Sequence, residues 1–523
     1  MKQSFMQGTI ILFVSGIFNR LLGFVPRIIL PRVIGAEGVG LFQLSYPFLI
    51  LMLTVISGGL PIAIAKMIAE EEQLGNQQEV NRIFKIALLK VIALSVICAV
   101  LCFTLANWMS IHLFRDERVY YAFLTTIPML FIVGISSVIR GYFQGKHNML
   151  PTAISQIVET VIRLFMMILF ATLLLPYGLA WAAAGAMLGV VCGELAGFFY
   201  LLIYWAYNKS RPSKNNLQPI SQNVSQKTSK TFKRMFSLAV PMTTNKLVTS
   251  TSYFFESILI IQSLAIAGIS ASQSTSFYGI LQGMIIPILV LPNALTYSLT
   301  LSLIPALSQA FAIQDWQTIR KRLQQSLKLC VVAGIPFVVI MFVFAESICM
   351  TLYQQVEFAY MLQWMAPFAL FLYVQGPLQA ALQALNRSGT ALRNTLIAAL
   401  IKLLLIYVLA SKPELGINGV LFAINVNILI TTLLHWLSVR KSSGLNTRAL
   451  QLPSLFLSAI LMTVLSMLAD KISAIHDHAL HTFFALCIAI ACYVCFLFAF
   501  RIIQWEQLAK VFVRKTSSVR PNE

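Results

Sequence analysis

Charge is what this sequence has least of. Charged residues fill 11% of its 523 positions, and only 18 of those residues are acidic. Soluble domains carry about 25% charged residues, so there are too few polar groups here to cover a globule in water. No G-x-x-x-x-G-K-[ST] sequence occurs, which argues against ATP hydrolysis by this chain. Gly35, Gly38 and Gly40 are spaced like a phosphate loop, but no strand precedes them, so a nucleotide site is not expected. The eight cysteines (Cys98, Cys102, Cys192, Cys330, Cys349, Cys487, Cys492 and Cys495) all lie in apolar runs. The one C-x-x-C, Cys492 with Cys495, has no second pair, so neither a disulfide framework nor a zinc site is implied. His476, His478 and His481 read as a solvated loop rather than a metal site. No long polar loop carries a catalytic set. The chain is therefore expected not to be an enzyme and to need no cofactor.

What the chain has instead is apolar length. Hydrophobic residues make up 58% of it, and its mean hydropathy is +0.80. This surplus must face lipid. Hydrocarbon offers the backbone no hydrogen-bond partners, so only helices or closed barrels can cross it. Barrel strands would alternate in polarity over about ten residues, whereas these runs reach the ~20 residues that a helix needs. The expected fold class is an all-α integral membrane protein of about fourteen transmembrane helices. The spans fall near 9–32, 40–69, 83–112, 119–143, 152–175, 179–206, 236–264, 277–310, 325–352, 358–384, 391–410, 415–438, 450–469 and 480–503. The first apolar run continues past Arg20 without a clear cleavage site, so it reads as a retained helix rather than a signal peptide.

The formal net charge of +20 collects in the connections. The longest, 207–235, holds Lys209, Arg211, Lys214, Lys227, Lys230, Lys233 and Arg234 and no acid. Its Ser, Asn and Gln content suits a flexible linker. Arg82 and Lys85, Arg320 to Arg322, Arg387 and Arg393, and Arg440 and Lys441 mark further basic connections, and the tail adds Lys510, Arg514 and Lys515. Connections after the fifth, seventh and ninth spans carry no Lys or Arg. The positive-inside rule then places both termini and the basic linker in the cytoplasm of a multi-pass cell-membrane protein. Basic charge distributed this way does not point to nucleic acid. Membrane lipids are the expected surroundings, with anionic lipid or a protein as a partner for the linker.

The chain also repeats itself. Leu60-Pro61 recurs as Ile304-Pro305, Gln78–Leu89 echoes Gln317–Leu329, and Gly178 opens the sixth span as Gly416 opens the twelfth. The unit is half a chain with six spans, an even number, so the halves share one orientation. That is the parallel-repeat plan of some secondary transporters, with substrate held between the halves. The expected organisation is an N-lobe at 1–206, the basic linker at 207–235, a C-lobe at 236–440, and two further helices with a basic tail at 441–523.

Charges inside spans cost a few kcal/mol each on insertion scales unless they meet a partner or a polar cavity. Arg20 and Arg27 lie seven apart in the first span and should share a face; Arg32 follows. Glu159 and Arg163 lie four apart in the fifth span and can pair. Lys402 matches Arg163 across the repeat, and Lys246 and Glu256 sit in the seventh span. The plain reading is that such residues pair or snorkel and fix packing. The functional reading is a cationic chamber built from Arg20, Arg27, Arg163, Lys402 and Lys246, with Glu159 tuning Arg163. Arginine forks and lysine point charges suit phosphate oxygens.

Two segments carry a family resemblance: NRLLGFVPRIILPRVIGAEGVG with LFQLSYP, at Asn19–Pro47, and GYFQGKHNMLPTAISQIVE, at Gly141–Glu159. Both resemble the polysaccharide-transporter branch of the multidrug/oligosaccharidyl-lipid/polysaccharide exporter superfamily, and its sporulation members above all. The resemblance covers nearly the whole chain. It implies a flippase for undecaprenyl-pyrophosphate-linked sugars, with lipid II for spore-cortex peptidoglycan as the expected cargo. Vegetative lipid II flippases of the family carry S-R-x-L-G-F-x-R-D in the first helix. Here Arg20 matches the first arginine, the second is displaced by one to Arg27, and Ile28 stands at the acid. Two other readings stay open: an ion-coupled exporter of cationic drugs, which would need acids in the cavity, and a non-transporting scaffold for cell-wall assembly.

Overall fold

The structure, a computed structural model, describes residues 5–209, 228–445, 452–471 and 478–500. The middle of the basic linker, the loop bearing His476 and the basic C-terminal tail lie outside the described residues. Among the described residues the regular structure is all helix, with no strand. Ten helical runs are long and apolar enough to cross a bilayer, and three shorter apolar helices accompany them, Ser302–Ala312, Pro453–Leu468 and Leu486–Ala499. Large apolar side chains such as Phe103, Leu169, Ile203 and Leu404 stand exposed. In a bilayer such a surface faces chain-like neighbours and costs nothing.

The helices form two compact units. The first gathers Met1–Pro287 with Ala399–Ala423, and so draws on both halves of the sequence repeat. It opens with α1 (Phe5–Leu22), α2 (Val25–Ser57) and α3 (Leu60–Gln73), the bulk of them in one 60-residue run, Val14–Gln73. This differs from the expected spans at 9–32 and 40–69. The first break falls inside the expected first helix, at Gly23 and Phe24. Gly23 N–H donates to Asn19 O at 2.8 Å, and Pro26 enters the first turn of α2, where its missing N–H leaves no bond unmade. The boundary expected after residue 32 is only a kink at Gly35, whose φ of +67° favours glycine. The third interruption is at Gly58 and Gly59, with Pro61 in the first turn of α3.

The first unit continues through α4 (Gln77–Trp108), α5 (Val119–Gly145), α6 (Leu150–Leu174), α7 (Leu179–Lys209), α8 (Thr228–Ile266) and α9 (Ala271–Gly279). Helices α2 and α9 meet backbone to backbone. A Cβ on Gly40 would overlap the Thr275 backbone, and one on Gly279 would overlap Ala36 and Gly40. Polar groups surround this contact. Arg118 pairs with Glu37 at 2.7 Å and with Asp116 at 2.9 Å, Thr275 donates to Asp116 at 2.9 Å, and the Ser272 hydroxyl donates to Glu37. At the far end of the same run, Arg234 of α8 pairs with Glu70 and, at 3.7 Å, with Glu71, while the Thr231 hydroxyl donates to Glu79.

The second unit gathers Ile288–Ala398 and Ile424–Glu523. After a short α10 (Ile286–Val290) come α11 (Asn293–Ala312), α12 (Trp316–Val343), α13 (Ala345–Tyr353), α14 (Ala359–Ala384), α15 (Ser388–Ala410), α16 (Gly416–Ser443), α17 (Leu452–Lys471) and α18 (His478–Ala499). The facing ends of α15 and α16 belong to the first unit. Pro305, the repeat counterpart of Pro61, lies inside α11 rather than at a helix start. Helices α17 and α18 pack on α12 through Leu455, Met462, Ile335, Val339 and Leu497, and Tyr493 donates its hydroxyl to Val332 O at 2.9 Å.

The α2–α9 contact has a direct test. Gly40→Ala should lower the melting temperature of the detergent-solubilised protein, an overpacking cost of ~1–3 kcal/mol. Gly16→Ala, with nothing within 4 Å of the added carbon, should not. Equal melting of Gly40→Ala and wild type would contradict the contact.

Candidate functional site

Four glycines spaced by four residues on α7 (Gly185, Gly189, Gly193 and Gly197) set up the polar centre of the first unit. Each faces α6, closely at Gly197 and with no room for a side chain at Gly185, Gly189 and Gly193. A Cβ on Gly193 would sit 2.6 Å from Arg163 Cβ and 2.8 Å from Glu159 O, and one on Gly197 would sit 3.0 Å from Ser155 O. Small residues at this spacing let two membrane helices approach closely. The approach brings Glu194, beside Gly193, onto Arg163.

The result is a four-residue ion network across three helices. Arg163 pairs with Glu159 one turn away and with Glu194 at 3.1 Å, and Arg140 of α5 reaches Glu159 at 2.8 Å. Two guanidinium groups meet two carboxylates, so as full charges the network is neutral. The expected pairing of Glu159 with Arg163 is present. The partners Glu194 and Arg140 were not legible from spacing, because they come from other helices. The α7 glycine ladder was the available signal for Glu194.

Lys402 is also matched. Its ammonium lies 2.6 Å from Glu256 of α8, both residues buried. Lys402 and Arg163, counterparts in the repeat, thus both sit against glutamates. Two half-buried tyrosines stand near these clusters. Tyr46 of α2 is within electrostatic reach of Arg163, Arg27 and Glu194, and Tyr253 of α8 is within reach of Glu256, Arg27 and Tyr46.

Arg20 and Arg27 do not share one continuous helix face. Arg20 closes α1, Arg27 opens α2, and the break at Gly23 and Phe24 separates them, so the seven-residue spacing no longer sets their relative direction. Both side chains are exposed. Arg27 makes no ion pair among the described residues. Neither does Lys246 of α8, which is exposed and donates to the Gly58 carbonyl at 2.9 Å. Among the described residues no group of His, Cys, Asp or Glu is arranged to share a metal ion. Exposed guanidinium and ammonium groups of this kind are chemically suited to anions.

Comparison with known proteins bears on the family and the fold. The family model described as "Polysaccharide biosynthesis protein" matches residues 5–311, and a second, MatE, matches residues 248–408. Stage V sporulation protein B of Bacillus subtilis (strain 168) is 39% identical over 512 residues, 98% of each chain. The lipid II flippase MurJ of the same organism is 24% identical over 470 residues, 86% of this chain and 85% of that one. A solved structure of lipid II flippase MurJ in an inward closed conformation superposes with a TM-score of 0.71, covering 94% of this chain and 100% of that one at 14% identity. At that identity the likeness speaks for the fold.

The ion pairs predict an asymmetry. Lys402→Met strands Glu256 and should cost ~3–5 kcal/mol of stability, whereas the double change Lys402→Met with Glu256→Met should recover most of it. Arg163→Met should be similarly damaging, because two carboxylates lose their shared partner. Melting curves in detergent read the difference. A double variant no more stable than Lys402→Met alone would refute the pairing.

Proposed function

The chain belongs to the polysaccharide biosynthesis protein family, the polysaccharide-transporter branch of the multidrug/oligosaccharidyl-lipid/polysaccharide exporter superfamily, and we propose that it is a flippase for an undecaprenyl-pyrophosphate-linked sugar precursor. Lipid II for spore-cortex peptidoglycan is the proposed cargo. Support for it comes from one relative named for sporulation and another named as a lipid II flippase. The protein works in the cell membrane with both termini cytoplasmic, as its basic connections favour.

One observation carries the reading. Arg140, Arg163 and Lys402 are each met by a carboxylate, while Arg27 and Lys246 are exposed and have no ion pair among the described residues. Arg27 and Lys246 are therefore positive charge that the carboxylates of these pairs leave over. A pyrophosphate cannot enter hydrocarbon unaided, but its polyprenyl tail need not leave it. A cationic, water-filled chamber shields the head group while the tail stays in lipid, and alternating access exposes the chamber to each side in turn. In this mechanism Arg27 and Arg20 contact the pyrophosphate as planar forks and Lys246 as a point charge. Arg163, Lys402 and Glu159 act one step back, as the ion pairs that hold the chamber walls. A cationic drug is disfavoured as cargo, since Glu159, Glu194 and Glu256 are all engaged by basic side chains.

Reconstituted vesicles test this. Wild-type protein should move labelled lipid II and should not move a cationic dye. Arg27→Ala should slow lipid II movement roughly tenfold or more, a loss of about 1.4 kcal/mol in the rate-limiting step, with melting unchanged. Other polyprenyl-linked sugars in the same assay identify the head group. An undiminished rate in both Arg20→Ala and Arg27→Ala would overturn the assignment.

A further inference from the structure

The end of α2 shows an arrangement that transport as described above does not require. Helix termini leave backbone groups without intrahelical partners, and inside a membrane protein water does not readily supply them. At the α2–α3 break, α8 supplies them. Gly59 N–H donates to Thr243 Oγ1 at 2.9 Å, and Thr243 in turn donates to Ala239 O at 2.8 Å. Gly58 O accepts from Lys246 Nζ at 2.9 Å. Thr243 and Lys246 are three apart, so one face of α8 holds both sides of the break. The fit is close. A Cβ on Gly58 would sit 2.6 Å from Thr243 Cγ2, and one on Gly59 would sit 2.5 Å from Ala239 O. A cation at a helix C-terminus also meets the negative end of the helix dipole.

Lys246 differs from Thr243 in one respect: its side chain is exposed. An ammonium has three donors, and a phosphate oxygen is a stronger acceptor than a neutral carbonyl. A phosphate-bearing ligand in the chamber therefore competes with Gly58 for Lys246. The bond at stake joins two functional ends. The segment before the break carries Arg27 and Glu37, whose carboxylate pairs with Arg118. The segment after it carries Glu70 and Glu71, which pair with Arg234.

We propose that Lys246 is a clamp on the α2–α3 break and that a pyrophosphate-bearing ligand releases it. The proposal rests on the reading that the chamber takes a pyrophosphate. When the ammonium turns to the ligand, Gly58 O loses its partner and the angle between α2 and α3 is freed. Ligand binding at Lys246 is thereby coupled to the contacts at both ends of the run.

Hydrogen–deuterium exchange on the full-length protein in lipid nanodiscs tests this, followed at the amides of Gly58 to Leu60. In the wild type these amides should be protected, and inorganic pyrophosphate or lipid II should raise their exchange roughly tenfold, the scale of one lost charge-assisted hydrogen bond. Lys246→Met should show the raised rate without ligand and no further response. Lys246→Gln, whose amide can still donate to Gly58 O but carries no charge, should stay protected and unresponsive. Wild-type protection in Lys246→Met, or a full ligand response in either variant, overturns the clamp, as does a wild type whose exchange no pyrophosphate-bearing ligand alters. A response to lipid II but not to inorganic pyrophosphate assigns release to the lipid-linked form. An intact exchange response without lipid II movement in vesicles sinks the flippase reading alone. Movement without the response sinks the clamp alone.

Discussion

A charge inside a bilayer must find an opposite charge, a polar contact or water, because hydrocarbon provides none of these. This constraint sorts the basic residues of the spans into two groups. Arg140, Arg163 and Lys402 are held by Glu159, Glu194 and Glu256, and their charge is consumed in joining α5 to α6, α6 to α7, and α8 to α15. Arg27 and Lys246 remain exposed. Structure and function thus draw on one short supply of charge. The acids are few, and those in the spans are spent on packing.

Glycine makes the pairing possible. At several of these pairs a glycine lets the helix backbones approach. The α7 ladder lets Glu194 reach Arg163, and Gly40 with Gly279 lets α2 and α9 close around the Glu37, Arg118 and Asp116 cluster. Gly58 and Gly59 let α8 serve the broken end of α2. At each place an apolar contact without side chains positions a polar one. The attraction within a buried ion pair is largely offset by the desolvation of its charges, so the backbone contacts set the geometry and the charges select among the arrangements that it allows.

Much of the architecture was legible in the sequence because lipid imposes one simple rule, a long apolar run. The membrane class, the helical fold and most span positions follow from it, and α5, α6 and α7 lie within three residues of the expected 119–143, 152–175 and 179–206. The Glu159 and Arg163 pair was legible for a local reason: four residues make one helical turn. The expected first helix was less legible. An apolar run does not say where a helix stops, and the break at Gly23 and Phe24 leaves hydropathy unchanged while separating Arg20 from Arg27. Gly35, Gly38 and Gly40 read only as a loop-like cluster; in the fold Gly35 is a kink and Gly40 a contact with α9.

By itself, then, the sequence determined the solvent, the helical class, the charge balance and the family, because these depend on composition, periodicity and local motifs. Beyond the local Glu159 and Arg163 pair, the tertiary structure decided which charges are spent. Lys402 and Arg27 look equally costly along the chain, and nothing near Lys402 in sequence foretells Glu256, 146 residues away, as its partner. Nor does any local signal show that Lys246 would meet the backbone of Gly58. An ionised side chain in a membrane takes its role from whatever group stands opposite it. That group is supplied by the packing of helices distant in the chain.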